Sequence, residues 1–244
     1  MKPELVKQFI DLTTLKVDDT EERVINLCKN AVNNNVAAVC VFPNFVSIAK
    51  ENLSNSNIKV ASVAGCFPAA QSSLKIKLAE VEFALESGAD EIDIVFPVGL
   101  FFENKIDKVY QELNAYRDIC KGKVLKCILE TGALQKEELI KKASEIAIEC
   151  NVDFLKTSTG KISPSATPEA SKVMLNAIKE NYQKTNKMVG FKVAGGVSTY
   201  NEALVYINLV NTILETNTNK KWLTPEYFRI GASRLLNNLN NLNI

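Results

Sequence analysis

The chain has no histidine among its 244 residues. That single absence removes imidazole general bases, serine–histidine–aspartate triads and histidine-ligated metals. An excess of either charge is also missing. The formal net charge is +1, with acids and bases scattered along the chain, so no basic stripe exists to hold a nucleic-acid backbone or an anionic membrane. Six cysteines occur without a Cys-x-x-Cys pair or a disulfide-rich density, which reads as reduced thiols in a cytoplasmic protein. The start of the sequence lacks the apolar core of a secretory signal. The longest uncharged stretch, 30–49, is broken by Asn33-Asn34-Asn35 and Pro43-Asn44, which suits a helix end, a strand and a turn better than a membrane span. The expected partner is a small molecule.

What is present is alternation. With 46% hydrophobic residues, the chain has the material for one large α/β domain spanning 1–244. Short β-rich runs at 9–13, 37–42, 59–64, 91–96, 124–129, 153–157, 189–193 and 228–231 alternate with helical periods, and eight such units close a (β/α)8 TIM barrel. Val24, Leu27, Cys28 and Ala31 mark one helical face; Leu74, Leu78, Val81 and Leu85 mark another; Leu139, Ala143, Ile146, Ala147 and Cys150 mark a third. Asp19 with Glu22 and Thr199 with Glu202 have capping-box spacing, and Pro168 after Thr167 suits a first helical turn. The run 235–244 reads as a last helix fraying into a disordered end. An open doubly wound sheet is the rival, but no glycine-rich dinucleotide turn follows the first strand.

Two lysines ask for a chemical reason. Lys156 and Lys192 each end an apolar run and precede small or hydroxyl residues, in Phe154-Leu155-Lys156-Thr157-Ser158-Thr159-Gly160-Lys161 and Gly190-Phe191-Lys192-Val193-Ala194-Gly195-Gly196. An amine at the end of a buried strand loses hydration, which favours its neutral form, and a neighbouring ammonium favours it further. Two ammonium groups about 6 Å apart at an effective dielectric near 20 repel by roughly 2.8 kcal/mol, about a hundredfold in protonation. Strand parity puts Phe154 and Lys156 on one face, and Glu91, Asp93 and Val95 on one face. If Lys156, Lys192 and Asp93 all point into the barrel mouth, they make a Schiff-base site. The plainer alternatives are strand-end lysines reaching solvent, Asp93 as the partner of Lys126, and Lys126 with Glu130 as a buried ion pair that orders the site.

Gly160-Lys161, Gly195-Gly196 and Gly231-Ala232-Ser233 directly follow predicted strands. Three such turns in successive loops resemble a barrel phosphate site, where backbone N–H groups bind an anion. Cys40 and Cys66, near the ends of the second and third strands, suit small apolar fillers better than nucleophiles.

Over 11–236 the sequence resembles deoxyribose-phosphate aldolases, a class I family of barrel fold. The resemblance is carried by Asp11-Leu12-Thr13-Thr14-Leu15, Glu91-Ile92-Asp93-Ile94-Val95, Leu125-Lys126 with Leu129-Glu130-Thr131-Gly132, 154–161, Gly190-Phe191-Lys192 with Ala194-Gly195-Gly196, and Arg229-Ile230-Gly231-Ala232-Ser233. It implies reversible cleavage of 2-deoxy-D-ribose 5-phosphate to D-glyceraldehyde 3-phosphate and acetaldehyde in deoxyribonucleoside catabolism, with no metal and no organic cofactor. It implies Lys156 as the Schiff-base lysine, Lys192 as the lysine that perturbs it, and Asp93 as the carboxylate of a proton relay. Substrate contacts are expected from Thr13, Cys40, Lys126, Thr159, Gly160, Lys161, Gly195, Gly196, Gly231, Ser233 and Arg234, and a homo-oligomer, as a dimer, is expected from the family.

The sequence departs from the family pattern in three places. Ala69-Ala70 follows Phe67-Pro68 where a glycine is usual, Ser198 stands where many members carry arginine, and Arg234 stands where serine is usual. The last two suggest that Arg234 supplies the phosphate charge that Ser198 lacks. Two further readings keep parts of this pattern: a Schiff-base aldolase with a different aldehyde pair, and a catalytically silent barrel that only binds sugar phosphate.

Overall fold

A computed structural model describes residues 1–242. Its strands are β1 (Ile10–Thr13), β2 (Ala38–Val41), β3 (Lys59–Val63), β4 (Glu91–Val95), β5 (Val124–Ile128), β6 (Phe154–Lys156), β7 (Gly190–Ala194) and β8 (Phe228–Ala232). Each pairs in parallel with the next, and β8 pairs with β1, which closes the barrel. All eight predicted strands are present. Six are shorter than read from the sequence: β1, β3, β4 and β5 by one residue, and β2 and β6 by one at each end, although Ala37 and Asp153 still make ladder bonds to Ile10 and Leu125. β7 and β8 instead run one residue further, to Ala194 and Ala232.

Side-chain parity divides these strands between two environments. Outward residues such as Ile10, Val39, Ile92, Leu125, Leu155, Phe191 and Ile230 are fully buried and join the helices in one continuous apolar core. Burial at roughly 25 cal/mol per Å² of apolar surface makes this layer the main source of stability. The inward residues include Asp11, Glu91, Asp93, Lys126, Lys156, Lys192 and Arg229, all buried. A barrel interior is ordinarily filled by branched aliphatics; here those are confined to a few small patches, such as Val95 and Ile128 with Ala70.

The helices cap largely as read. Thr199 and Glu202 form a capping box, and the Thr167 hydroxyl accepts from the Ala170 amide ahead of the Pro168–Thr185 helix. Asp19 is not a cap: Thr20 starts the Glu21–Asn34 helix by accepting from Arg23. Asp19 instead accepts from the Thr14 hydroxyl and the Lys16 amide, which draws it back into the loop after β1. On the Leu74–Glu86 helix the buried face holds Lys77, Val81 and Ala84, while Leu74, Leu78 and Leu85 are half-buried. Lys77 turns inward because Glu112 receives its ammonium at 2.7 Å. Of the last predicted helix, Leu235–Asn240 is formed, and 243–244 lie outside the described residues. The turn with Ala69-Ala70 keeps a left-handed residue even without glycine: Ala70 has φ +52°.

The barrel floor depends on one missing side chain. Phe154 points inward beside its register partner Gly190, and a Cβ at 190 would stand 2.5 Å from the Phe154 ring. The same ring lies 5.9 Å from both the Lys126 ammonium and the Arg229 guanidinium. Gly190→Ala is expected to destabilise the fold by about 1–3 kcal/mol through overpacking, read as a lower urea midpoint at unchanged slope.

Candidate active site

Register decides which charges meet. Lys156 is paired in the sheet with Lys192, Lys192 with Arg229, and Asp93 with Lys126. All seven inward charges therefore converge. Asp93 Oδ2 accepts from the Lys156 ammonium at 2.7 Å and from that of Lys192 at 2.8 Å, while its Oδ1 accepts from Lys126 at 2.9 Å. Lys192 also donates to Asp11, and Lys126 to Glu91. Arg229 closes the network from below, at 2.6 Å from Asp11 and 2.8 Å from Glu91.

The network holds Lys126, Lys156, Lys192 and Arg229 against Asp11, Glu91 and Asp93, one cation more than it has carboxylates. Lys192 hydrogen-bonds to two carboxylates, as does Lys126, which also lies 3.8 Å from Asp11, and Lys156 touches only Asp93. The consequences diverge. For Lys156, burial first and the Lys192 charge beside it outweigh Asp93, and its pKa falls below the ordinary lysine value. For Lys192, burial is outweighed by Asp11 and Asp93, and its pKa rises. Asp93 is held well below the usual carboxylate range because Lys126, Lys156 and Lys192 together overcome its burial. Of the two ammonium groups on one oxygen, Lys156 is the more easily deprotonated.

Lys156 forms part of the wall of a cavity of about 270 Å³ at the carboxyl ends of the strands. Its other walls are the loops after β1 (Thr13 to Lys16), β6 (Thr159 to Lys161), β7 (Gly195 to Ser198) and β8 (Ser233 and Arg234). Of the predicted contacts, Thr13, Thr159, Gly160, Lys161, Gly195, Gly196, Gly231, Ser233 and Arg234 line it. Lys192 and Asp93 lie beneath. Lys126 does not reach it, since its ammonium is drawn down onto Glu91 and Asp93. Nor does Lys126 pair with Glu130: Glu130 sits past the strand in a left-handed conformation and accepts from the Thr159 hydroxyl and amide. Cys40 is likewise outside the wall, packed with Leu15, Ala61 and Val63, and its thiol is pushed up in pKa by burial. Cys66 is half-buried, with its amide donating to Glu80.

The segment after Lys156 is stitched in place. The Thr157 hydroxyl donates to the Ala194 carbonyl and accepts from the Ala194 amide, both at 3.0 Å. The amides of Gly160, Gly196, Val197 and Ser233 donate to no group among the described residues, so the cavity presents open N–H groups of the kind that bind anions. No cluster of three or more metal-ligating side chains occurs among the described residues. No described helix is long and apolar enough to cross a membrane. Sequence reasoning did not assign Asp11, Glu91 and Arg229 to the site, nor Thr14, Leu15 and Lys16. The signal for the first three was a charge at an inward position of an otherwise apolar strand; Thr14 and Leu15 lie in the Asp11-Leu12-Thr13-Thr14-Leu15 motif, and Lys16 carries none.

A family model described as DeoC/LacD family aldolase matches residues 5–230. Among solved structures, one from Coccidioides immitis assigned to deoxyribose-phosphate aldolase is 26% identical, with 98% of this chain and 87% of that chain covered at a TM-score of 0.84. Another, QR15, an aldolase, is 29% identical over 96% of this chain and 94% of its own, with a TM-score of 0.79. A tetrameric deoxyribose phosphate aldolase from Aeropyrum pernix is 24% identical and shares the fold over 98% of this chain and 93% of its own, with a TM-score of 0.79.

The lowered pKa of Lys156 has a thermodynamic sign. Below its folded-state value the amine is charged in both states and the folded state bears the burial cost. As pH rises towards the ordinary lysine value, the unfolded state binds more protons and the cost disappears. Lys156→Met is therefore expected to be more stable than the parent near neutral pH, with the difference shrinking as pH approaches 10. Urea titrations at several pH values check the sign, and a gap that widens with pH would overturn the assignment.

Proposed function

Because the chain belongs to the DeoC/LacD family of aldolases, we propose that it is a class I aldolase that reversibly cleaves 2-deoxy-D-ribose 5-phosphate to D-glyceraldehyde 3-phosphate and acetaldehyde. The observation that carries this reading is the shared Asp93 oxygen: of its two ammonium partners, the one bordering the cavity has the lowered pKa. Neutral Lys156 attacks the C1 aldehyde, and loss of water leaves an iminium. The iminium draws the electrons of the C2–C3 bond, the one bond whose cleavage leaves a two-carbon aldehyde. As that bond breaks, the C3 hydroxyl gives up its proton and becomes the carbonyl of glyceraldehyde 3-phosphate. The enamine left on Lys156 takes a proton at C2, and water releases acetaldehyde.

Asp93 and Lys192 handle the protons in this reading. The Lys156 ammonium nitrogen lies 2.7 Å from Asp93 Oδ2, and Lys192 shares that oxygen. Once Lys156 is neutral, Asp93 keeps Lys126 and Lys192 and stays ionised. The phosphate is taken by the open amides after β6, β7 and β8, with Arg234 supplying charge where Ser198 cannot. A cytoplasmic, homo-oligomeric enzyme of deoxyribonucleoside catabolism that uses neither metal nor organic cofactor completes the proposal; the free cysteines are in keeping with that compartment.

Incubation with substrate and borohydride is expected to fix a covalent adduct on the peptide carrying Lys156, identified by mass, and Lys156→Ala should show no adduct and lose at least a thousandfold in kcat. A labelled peptide elsewhere, or none, sinks the reading. Arg234→Ala is expected to raise KM for the phosphorylated sugar by about tenfold with a smaller change in kcat; an unchanged KM would remove Arg234 from the phosphate site.

A further inference from the structure

The loop after β1 is built around a buried acid that sequence spacing assigns to a helix cap. The Asp19 carboxylate, with 1% of its side chain exposed, accepts from the Thr14 hydroxyl at 2.6 Å, from the Lys16 amide at 2.8 Å and from Arg23 at 3.0 Å. These bonds wrap 14–19 into a fixed turn with Lys16 on its exposed side, where it lines the cavity. The nearest acids along the chain, Asp18 and Asp19, are both paired with Arg23, which leaves the Lys16 ammonium uncommitted to either.

The other cations at the cavity are differently placed. Lys156 lies on the floor, and the Lys161 ammonium donates to the Leu15 carbonyl. Ser198, on the loop after β7, is neutral, and its amide donates to Glu202 at 2.8 Å. Lys16 and Arg234 remain, both exposed, on the loops after β1 and β8, which are neighbours in the barrel.

We propose that Lys16 is a specificity-determining residue for the phosphorylated end of the substrate, acting with Arg234 as a two-cation clamp over the open amides of the adjoining loops. The inference deepens the proposed function and rests on it. A phosphate monoester carries close to two negative charges near neutral pH, and two flexible cations match that charge where glycine amides alone supply only partial charge. Asp19 is the positioning residue that holds Lys16 at the rim.

The test compares the parent with Lys16→Met and Lys16→Arg. It measures kcat/KM for 2-deoxy-D-ribose 5-phosphate and for 2-deoxy-D-ribose, and separately the binding of inorganic phosphate by calorimetry at low salt. Lys16→Met is expected to lower the preference for the phosphorylated over the unphosphorylated sugar by about tenfold and to weaken phosphate binding by a similar factor. Lys16→Arg should keep both within about threefold of the parent, and the Met effect should shrink as ionic strength rises. A Lys16→Met enzyme whose preference and phosphate affinity match the parent within twofold overturns the proposal. If the parent itself binds phosphate but cleaves neither sugar, the reaction is wrong while the phosphate titration still decides the role of Lys16.

Discussion

Two ammonium groups on one carboxylate oxygen, inside a closed sheet, is the arrangement on which the rest of this protein depends. Asp93 Oδ2 holds Lys156 and Lys192 within hydrogen-bond distance, so neither proton can be placed without regard to the other. A symmetric pair would leave open which lysine loses its proton first. The symmetry is broken by Asp11, which takes Lys192 and not Lys156. The carboxylates are one fewer than the cations, and the deficit falls on the lysine with the fewest partners. That lysine borders the cavity.

Such a network is a poor source of stability, since buried ion pairs roughly offset their own desolvation. The fold can carry it because the apolar core lies elsewhere, between the outer face of the barrel and the helices. Parallel register then has a chemical role. A slip of one residue in β6 or β7 would exchange the two sheet faces, sending Lys156 or Lys192 into the helix layer and Leu155 or Phe191 into the barrel. The outward hydrophobic run of each strand thus holds the inward charges in register. Gly190 shows the same economy at the floor, where the absence of a side chain makes room for Phe154 under Lys126 and Arg229.

Much of this was legible in the sequence, for a definite reason. Period-two parity is a local property, so the alternation of Phe154, Leu155 and Lys156, or of Glu91, Ile92 and Asp93, fixes facing without knowledge of the partners. What parity cannot supply is height along the barrel axis and identity across it. Lys126 and Glu130 look like a pair at a distance of four in sequence, yet the strand ends between them and their side chains serve different neighbours, Glu91 below and Thr159 above. Asp19 fits a capping box by spacing, but Thr14, five residues back, offers a hydroxyl at 2.6 Å. Lys77 breaks its helix's apolar pattern because Glu112, on another helix, draws it inward. For Lys126 and Lys77 a partner distant in sequence overrode a local rule, and for Asp19 a nearer hydroxyl did.

The two ends of the cavity also differ in dielectric. Lys156 sits where water is scarce, and small differences in the number of partners become large differences in protonation. Lys16 and Arg234 are exposed, and their attraction for an anion is screened and modest. A weak, remote contact can still assist the chemistry if its binding energy is spent on placing the reacting carbon. The connection between the two ends is covalent and short. Lys16 follows Leu15, whose carbonyl holds the ammonium of Lys161. Lys161 lies five residues beyond Lys156, on a segment fixed to Glu130 through Thr159 and to Ala194 through Thr157. The loop that carries Lys16 is therefore tied to the segment that leaves Lys156. Lys161 thus serves the site by joining these two loops, a task that needs a long donor at that position as much as a charge.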